Sequence, residues 1–202
     1  PVNYVLPPGV TRIIDPSQSQ ITQLNEQAMS LKVTDLEYSN ALGVYKNTKI
    51  DMRMYKRLQM FVHAEALIDD VNGLQNGDFA LFIRMGADQQ ANYYEYEIPL
   101  EVTPPGLYNT YNYQDQLTVW PEQNMLDFPL SLWTDLKLKR NAEKRRENSN
   151  VTFQTPYYIY DPDHTRNKAT VVGNPSLSDV RTVLIGIRNR GRSKKSGIVW
   201  VN

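Results

Sequence analysis

Two glutamates two residues apart are the closest approach in this sequence to a pair of catalytic carboxylates. Glu95 and Glu97 lie in a segment that alternates apolar and polar residues, so an extended chain places both on one face. Glycosidases use such a pair, with one carboxyl group as acid and the other as base or nucleophile. The same spacing also describes the solvated face of an ordinary edge strand, and we expect that simpler arrangement here.

Histidine is the commonest general base, and this chain has only two, His63 and His164. His63 falls on the polar side of an alternating segment and His164 in a turn, so we expect each to be solvated or hydrogen-bonded. The absence of cysteine excludes thiol catalysis and Cys-bound metals. No phosphate-binding glycine loop and no nucleophile elbow occurs. We therefore predict a protein that is not an enzyme and carries no cofactor.

Aspartates cluster at two predicted turns, and carboxylate oxygens there could bind calcium. One group is Asp69, Asp70 and Asp78 beside two Asn-Gly pairs, and the other is Asp161 with Asp163. Neither group has the spacing of an EF-hand loop. We expect turns and no metal site.

An aromatic loop provides the candidate binding surface, which consists of Tyr108, Tyr111, Tyr113 and Trp120. Aromatic rings stack on the apolar faces of sugars, so a lectin-like site is one interpretation. Exposed aromatic side chains equally suit docking onto a neighbouring protein domain. We favour docking and keep sugar binding as the alternative.

The charges balance, with 22 basic and 22 acidic residues. A neutral chain gives no overall reason to expect nucleic acid as a partner. Basic residues do crowd a predicted helix and a late loop, where we expect solvated surfaces. They are Lys137, Lys139, Arg140, Lys144, Arg145 and Arg146 in the helix, and Arg188, Arg190, Arg192, Lys194 and Lys195 in the loop.

Alternation of apolar and polar residues predicts several strands. Residues 55–67 alternate over a long stretch, with only Phe61 breaking the polar set, which predicts one long strand with one buried face. Residues 79–85 alternate again after a turn and are expected in the same sheet. A short strand is predicted at residues 29–36 and a further one at 93–100, and a Tyr- and Asn-rich loop follows at 107–116.

The second half of the chain predicts one helix and more strands. Helical spacing of Leu132, Trp133 and Leu136 indicates a helix from about residue 131 to about 147. A short strand pair is expected within 151–160, and two strands at 181–188 and 198–201 read as a hairpin.

Together these elements predict a mainly β fold, a jelly-roll β-sandwich of the galactose-binding type with one peripheral helix. Residues 1–27, rich in Pro and turn residues, are expected to form an extended arm, and residues 28–202 the sandwich domain. Residues 1 and 202 both look like cut ends, so we interpret the chain as a soluble domain of a larger secreted or surface protein. It is not expected to insert into a membrane itself.

Several stretches, taken in order along the chain, resemble one known family. They are Asn3-Tyr4-Val5-Leu6-Pro7-Pro8-Gly9-Val10, Tyr45-Lys46-Asn47-Thr48, Tyr55 to Ala66, Asn92 to Leu100, Val119-Trp120-Pro121-Glu122, Gly173-Asn174-Pro175-Ser176-Leu177 and Val199-Trp200-Val201-Asn202. They resemble a segment of the SprA/Sov family, the giant outer-membrane translocon of the type IX secretion system, which is also linked to gliding motility. The similarity spans almost the whole chain.

The resemblance implies a role in protein export. The family forms a channel for folded cargo proteins, with soluble insertions that cap or line it, and this chain would be one of those insertions. It implies no catalytic residues. The expected partners are other domains of the same long chain, secretion-system subunits and secreted cargo proteins, with the domain at the cell surface or on the periplasmic side of the outer membrane. A lectin-like module on the cell surface remains the alternative.

Overall fold

The computed structural model describes residues 1–10, 14–15, 22–23, 27–67, 69 and 73–202. The strands are β1 Ile14–Asp15, β2 Thr22–Gln23, β3 Met29–Leu36, β4 Ala41–Ile50, β5 Arg57–Met60, β6 Val62–Ala66, β7 Phe79–Gly86, β8 Tyr93–Pro99, β9 Leu126–Pro129, β10 Tyr157–Tyr160, β11 Lys168–Val172, β12 Val180–Asn189 and β13 Lys195–Val201. The helices are α1 Tyr113–Val119 and α2 Ser131–Lys144, with a short 3-10 helix at Glu122–Asn124. The prediction of a mainly β fold is confirmed.

A six-stranded antiparallel sheet is the larger layer, in the order β10-β11-β8-β7-β12-β4. Opposite it, β13 pairs with β3 on one side and with β6 on the other to form a three-stranded sheet. A small ladder of β5 with β9 and the helix α2 complete this second layer. Such an arrangement is consistent with a β-sandwich, whereas the jelly-roll order of strands stays a prediction.

One hydrophobic core joins the two layers, because alternate residues of each strand point inward. Tyr94, Tyr96 and Ile98 of β8 face inward and pack against Trp133 and Leu136 of α2 and neighbouring residues of the core. The rings of Tyr94 and Trp133 are stacked, with their centroids 5.5 Å apart. The helix is therefore part of the core, although the sequence predicted it as peripheral.

The predicted long strand at 55–67 is wrong, because the chain changes sheets at Phe61. β5 pairs with β9, whereas β6 pairs with β13. Phe61 is the residue that interrupts the polar set, and its amide and carbonyl group bond those of Asn202. A break in alternation thus marks the point where the strand leaves one ladder for another.

Two predicted strand pairings are also wrong. β6 and β7 were expected in one sheet, and β12 and β13 were expected as a hairpin, but each pair is divided between the two layers. Asn189 supports the second crossing, since its side-chain amide donates to the carbonyl groups of Leu36 and Ser193. Alternation shows which face of a strand is buried, and it does not show which sheet the strand joins.

The predictions for the remaining elements vary in accuracy. The strand at 29–36 is confirmed with those bounds as β3, and the helix is confirmed as α2, three residues shorter than predicted. Within 151–160 the structure has the single strand β10. Helix α1 replaces part of the predicted loop at 107–116, because Asn112 caps its first turn by accepting from the amides of Gln114 and Asp115.

Residues 1–10 include the described first part of the predicted arm, and they pack on the sandwich. Val2 and Val5 are buried, and Val2 forms an isolated parallel bridge with Gly106. Most of the arm beyond residue 10 lies outside the described residues. The proposed division of the chain at residue 27 therefore stays a prediction.

Candidate functional site

The four aromatic residues predicted as a binding surface do not share one environment. Tyr111 is 91% exposed and Tyr113 is also exposed, whereas Tyr108 is half-buried and Trp120 is only 2% exposed. A ring that is covered on both faces cannot stack on a sugar without moving. Of the four, Tyr111 and Tyr113 are the two whose side chains are open to a ligand.

Tyr108 and Trp120 instead hold the first residues of the chain. The indole Nε1 of Trp120 donates to the carbonyl oxygen of Val5 at 2.9 Å. The side chain of Asn3 donates to the Tyr108 carbonyl group and accepts from the Tyr108 amide, at 2.8 and 2.7 Å. Tyr108 and Trp120 therefore contact residues at the start of the same chain, and docking of a neighbouring domain at this loop stays a prediction.

His63 is buried beside this segment rather than solvated. Its Nδ1 lies 2.8 Å from the Val119 carbonyl oxygen, which can only accept, so Nδ1 carries the proton and donates. The ring stacks on Trp200 with centroids 4.0 Å apart, and Nε2 is buried with no hydrogen-bond partner among the described residues. Burial lowers the pKa of His63 to about 4. A neutral ring enclosed in this way fits a structural role.

Glu95 and Glu97 share one face of β8, as their spacing predicted, but that face is not a solvated edge. β8 lies between β11 and β7 inside the six-stranded sheet, and both glutamates are buried. Arg84 of β7 donates to Glu95 through Nε and Nη2, and Arg188 of β12 contacts both glutamates. The expectation of a solvated edge is wrong because these cationic side chains cover the carboxylates.

The cations outnumber the acids on this outer face. Lys168 and Arg190 also pair with Glu97, at 3.4 and 3.7 Å, so two carboxylates face four cations. A glycosidase acid must reach the bond that it protonates, and these carboxylates are instead buried in ion pairs with cations of their own sheet. The arrangement suits an ion-pair network that binds neighbouring strands together.

Arg140 contradicts the expectation of a solvated basic face on α2. Its side chain is buried, and both of its Nη atoms lack a hydrogen-bond partner among the described residues. The guanidinium carbon lies 4.6 Å from the centre of the Phe153 ring, and Nε donates to the side chain of Asn141. Burial lowers the pKa of Arg140. The charge is held by an aromatic face instead of a carboxylate.

The aspartates considered for calcium have other partners or positions. Asp78 pairs with Lys195 at 2.8 Å, and Asp161 accepts from the hydroxyl group of Tyr96 and the amide of Asp163. Asp69 is exposed, and Asp70 lies outside the described residues. In the described part of the chain, no three His, Cys, Asp or Glu side chains come together in a way that could hold a metal ion.

An unpaired edge of the sandwich is the most distinctive open surface. β4 ends the six-stranded sheet and pairs only with β12, and every residue of β4 except Thr48 is exposed. Its apolar side chains Leu42, Val44, Tyr45 and Ile50 are between 37 and 61% exposed. We call β4 and the adjoining residues Met29, Val183 and Ile185 the open edge.

A groove runs beneath the open edge, on the side of the sheet that faces the core. Val44 is the register partner of Ile185, which in turn pairs with the buried Ile83, so all three side chains share the inner face. The groove has a volume of about 480 Å³ and is lined by Met29, Val44, Tyr45, Lys46, Thr48, Ile50, Val183 and Ile185. Its lining is mainly apolar, with one cation and no acid.

Sequence reasoning missed the open edge. The available signal is the occurrence of Val44, Tyr45 and Ile50, residue types that favour strands, in a segment bounded by Ser39-Asn40 and by Asp51. That pattern predicts a strand, but it does not predict that the strand ends a sheet. Exposure of its apolar residues follows from the tertiary position alone.

Comparison with protein families matches the whole chain. A family model named SprA_N and described as a motility related/secretion protein matches residues 1–202. The match confirms the family resemblance seen in the sequence. No curated protein matches the chain. In the part of the chain that the structure describes, no helix is both long and apolar enough to cross a membrane.

Proposed function

Because this chain belongs to the SprA_N family of motility related/secretion proteins, we propose that it is a non-catalytic interaction domain of an outer-membrane translocon. In this proposal the domain shapes or caps a protein-export channel of the type IX secretion system. It does so by contacting other parts of the same long chain or other secretion subunits. The resemblance to SprA/Sov sequences supports the system and its location in the outer membrane.

The open edge is the observation that carries this proposal. Isolated apolar residues are common on protein surfaces, whereas a contiguous apolar patch marks an interaction site. Leu42, Val44 and Ile50 are exposed on one strand, and the groove beneath them continues the apolar surface to Val183 and Ile185. A structural partner that covers this patch would complete the sandwich.

The polar groups support a domain without catalysis. Glu95 and Glu97 are paired with cations of their own sheet, and His63 is a buried neutral ring. General acid or base catalysis needs such groups within reach of a substrate. Their present contacts contribute to the stability of the fold.

Site-specific photo-cross-linking in living cells tests the proposal. A photoreactive amino acid replaces Val44 in the full-length protein, and a parallel strain carries it at Leu107. Leu107 is 93% exposed and lies outside the open edge, so it is the matched control. We expect products from Val44 that contain other regions of the same chain or secretion subunits. Cross-links to unrelated cellular proteins at both positions, or the absence of any cross-linked product at Val44, would overturn the proposal.

Carbohydrate binding stays the alternative function because Tyr111 and Tyr113 are exposed. Two rings can stack on a sugar, although Trp120 does not join them in this structure. A titration of the chain with surface glycans, followed by amide NMR, distinguishes the two functions. Saturable shifts at Tyr111 and Tyr113 that vanish in Tyr111→Ala would favour the lectin-like module. The interaction-domain proposal predicts no saturable shift.

A further inference from the structure

We infer that the open edge binds a partner segment as an additional β-strand, which pairs with β4 and places alternate apolar side chains in the groove. This inference rests on the proposed function, because it names the form and chemistry of the partner at the same surface. The partner is an extended segment that alternates apolar and polar residues and carries acidic residues.

The backbone of β4 defines the form of the partner. In an antiparallel sheet a strand directs about half of its amide and carbonyl groups to each neighbour. On one side β4 pairs with β12 from Ala41 to Ile50, and on the other side no described strand pairs with it. A helix cannot satisfy such a row of groups, whereas an extended segment can.

The groove defines the side chains of the partner. An added strand continues the sheet, so alternate side chains point to the inner face beside Val44. They would contact Val183, Ile185 and Met29, which line the groove. β3 is an edge strand of the smaller sheet on this side, so the apolar surface between the layers is open. Apolar residues at alternate positions would fill it.

The positive charges of β4 define the last feature of the partner, which is its acidic residues. Lys46 lines the groove and Lys49 follows on the same strand. Among the described residues no carboxylate lies within ion-pair distance of either lysine, although Lys49 is close enough to Asp179 to contribute to the lowered pKa of that carboxyl group. The nearby Asp51 is already paired with Arg53 at 2.6 Å. Opposite charges on neighbouring strands stabilise a ladder, so the partner strand is expected to carry Glu or Asp beside these lysines.

The same charges argue against a second copy of this chain as the occupant. Pairing two β4 strands would bring two copies each of Lys46 and Lys49 to one seam, with no acid on either strand. Like charges across a ladder destabilise it. A different segment, with acidic residues, relieves this repulsion.

The competing explanation is that the lysines simply protect a free edge. Natural sheets use charged residues, above all lysine, to prevent edge-to-edge association. A protected edge needs no apolar groove beneath it, and this one continues directly into a groove lined by Val44, Ile50, Val183 and Ile185. The groove therefore favours a bound strand.

Selection from a phage-displayed library of random dodecapeptides against the 202-residue chain tests the inference. We expect enriched peptides that alternate apolar and polar residues and contain acids. Val44→Asp should weaken a selected peptide by at least about tenfold, because it places a charge in the apolar groove. Leu107→Asp makes the same change at an exposed apolar residue elsewhere and should alter binding less than about twofold. Circular dichroism checks that both variants fold.

Backbone methylation of a selected peptide tests its conformation. N-methyl groups on one alternate set of residues should abolish binding, and on the other set they should be tolerated, since only one set donates to β4. Enrichment of no peptide, equal tolerance of both sets, or binding unaffected by Val44→Asp would overturn the inference. If the peptide experiments fail but Val44 still forms cross-links to the same chain or to secretion subunits in cells, strand addition is ruled out and the interaction-domain proposal is kept.

Discussion

Arg84 and Glu95 are direct register partners on β7 and β8, and their side chains form an ion pair of 2.6 Å on the outer face of the six-stranded sheet. Arg188 reaches the same carboxylate from β12, two strands away in the sheet order. One buried glutamate therefore ties together three strands, β8, β7 and β12, and β12 is the strand on which β4 pairs.

Replacing Glu95 by Gln should destabilise the fold, because it leaves Arg84 without its carboxylate partner and Arg188 with Glu97 alone. The arginines are partly exposed, so we expect the free energy of unfolding to fall by about 2 kcal/mol. This value lies between the contribution of an exposed ion pair, about 1 kcal/mol or less, and the cost of breaking a buried pair, about 3–5 kcal/mol. Denaturant unfolding measures it. Asp51→Asn, which breaks the exposed pair with Arg53, is the control and should lower the free energy of unfolding much less than Glu95→Gln does. Equal losses in the two variants would contradict a special role for Glu95.

His63 should make stability depend on pH between about 4 and 6.5. Its folded pKa of about 4 is below the ordinary value of 6.5, so the unfolded chain binds a proton first as pH falls. The contribution is fully present above pH 6.5 and is lost as pH falls through the folded pKa, by about 3 kcal/mol in total. Unfolding free energies measured across this range test the expectation.

The variant His63→Phe removes the titrating group and keeps a ring beside Trp200. Its unfolding free energy should fall less steeply over the same pH range than that of the parent protein. His164 is exposed, and His164→Gln is the control variant, in which the contribution of His63 is retained. A slope that persists in His63→Phe would assign the pH dependence to other groups.

Arg140→Met should raise the free energy of unfolding by about 1 kcal/mol, because a buried cation without a carboxylate partner is replaced by an apolar chain of similar length. Loss of the contact with Phe153 limits the gain. Lys139 is exposed on the same helix, and Lys139→Met should change stability by less than about 0.5 kcal/mol. A clear loss of stability in Arg140→Met would show that the guanidinium has a favourable partner.

Substitutions of Trp120 and of Tyr111 should have very different effects on stability, although the sequence placed both residues in one candidate surface. Trp120→Ala removes a buried ring and the hydrogen bond to Val5, with an expected cost of about 3–5 kcal/mol. Tyr111→Ala removes an exposed ring and should cost less than about 0.5 kcal/mol. Thermal or denaturant unfolding of both variants provides the measurement. Similar losses would contradict the separate environments described for them.

Period-two alternation was enough to predict the mainly β class and the inward face of β8, because alternation reports burial directly. It could not predict that β6 and β7 belong to different layers, since sheet membership depends on contacts far apart in sequence. The burial of Glu95 and Glu97 was missed for the same reason. Their covering cations, Arg84 and Arg188, come from strands whose positions beside β8 the sequence does not state.

The candidate aromatic surface shows the same limit of prediction from sequence. Composition identified the aromatic loop, but it could not show that Trp120 is covered by residues at the start of the chain. The open edge was missed because an edge strand and a central strand differ in their neighbours rather than in their pattern. Tyr45-Lys46-Asn47-Thr48 was recognised through family resemblance, without a structural role being assigned to it.

Hydrogen exchange along β4 tests the central claim most directly. The isolated chain and the full-length protein assembled in its membrane complex are compared, and peptides from residues 41–50 are followed by mass spectrometry. Residues 93–99 of β8, which lie inside the sheet, provide the internal reference and should exchange slowly in both samples. We predict that the 41–50 segment exchanges faster in the isolated chain and becomes protected in the assembly, because a partner covers the open edge. Equal exchange of that segment in both samples would contradict the account.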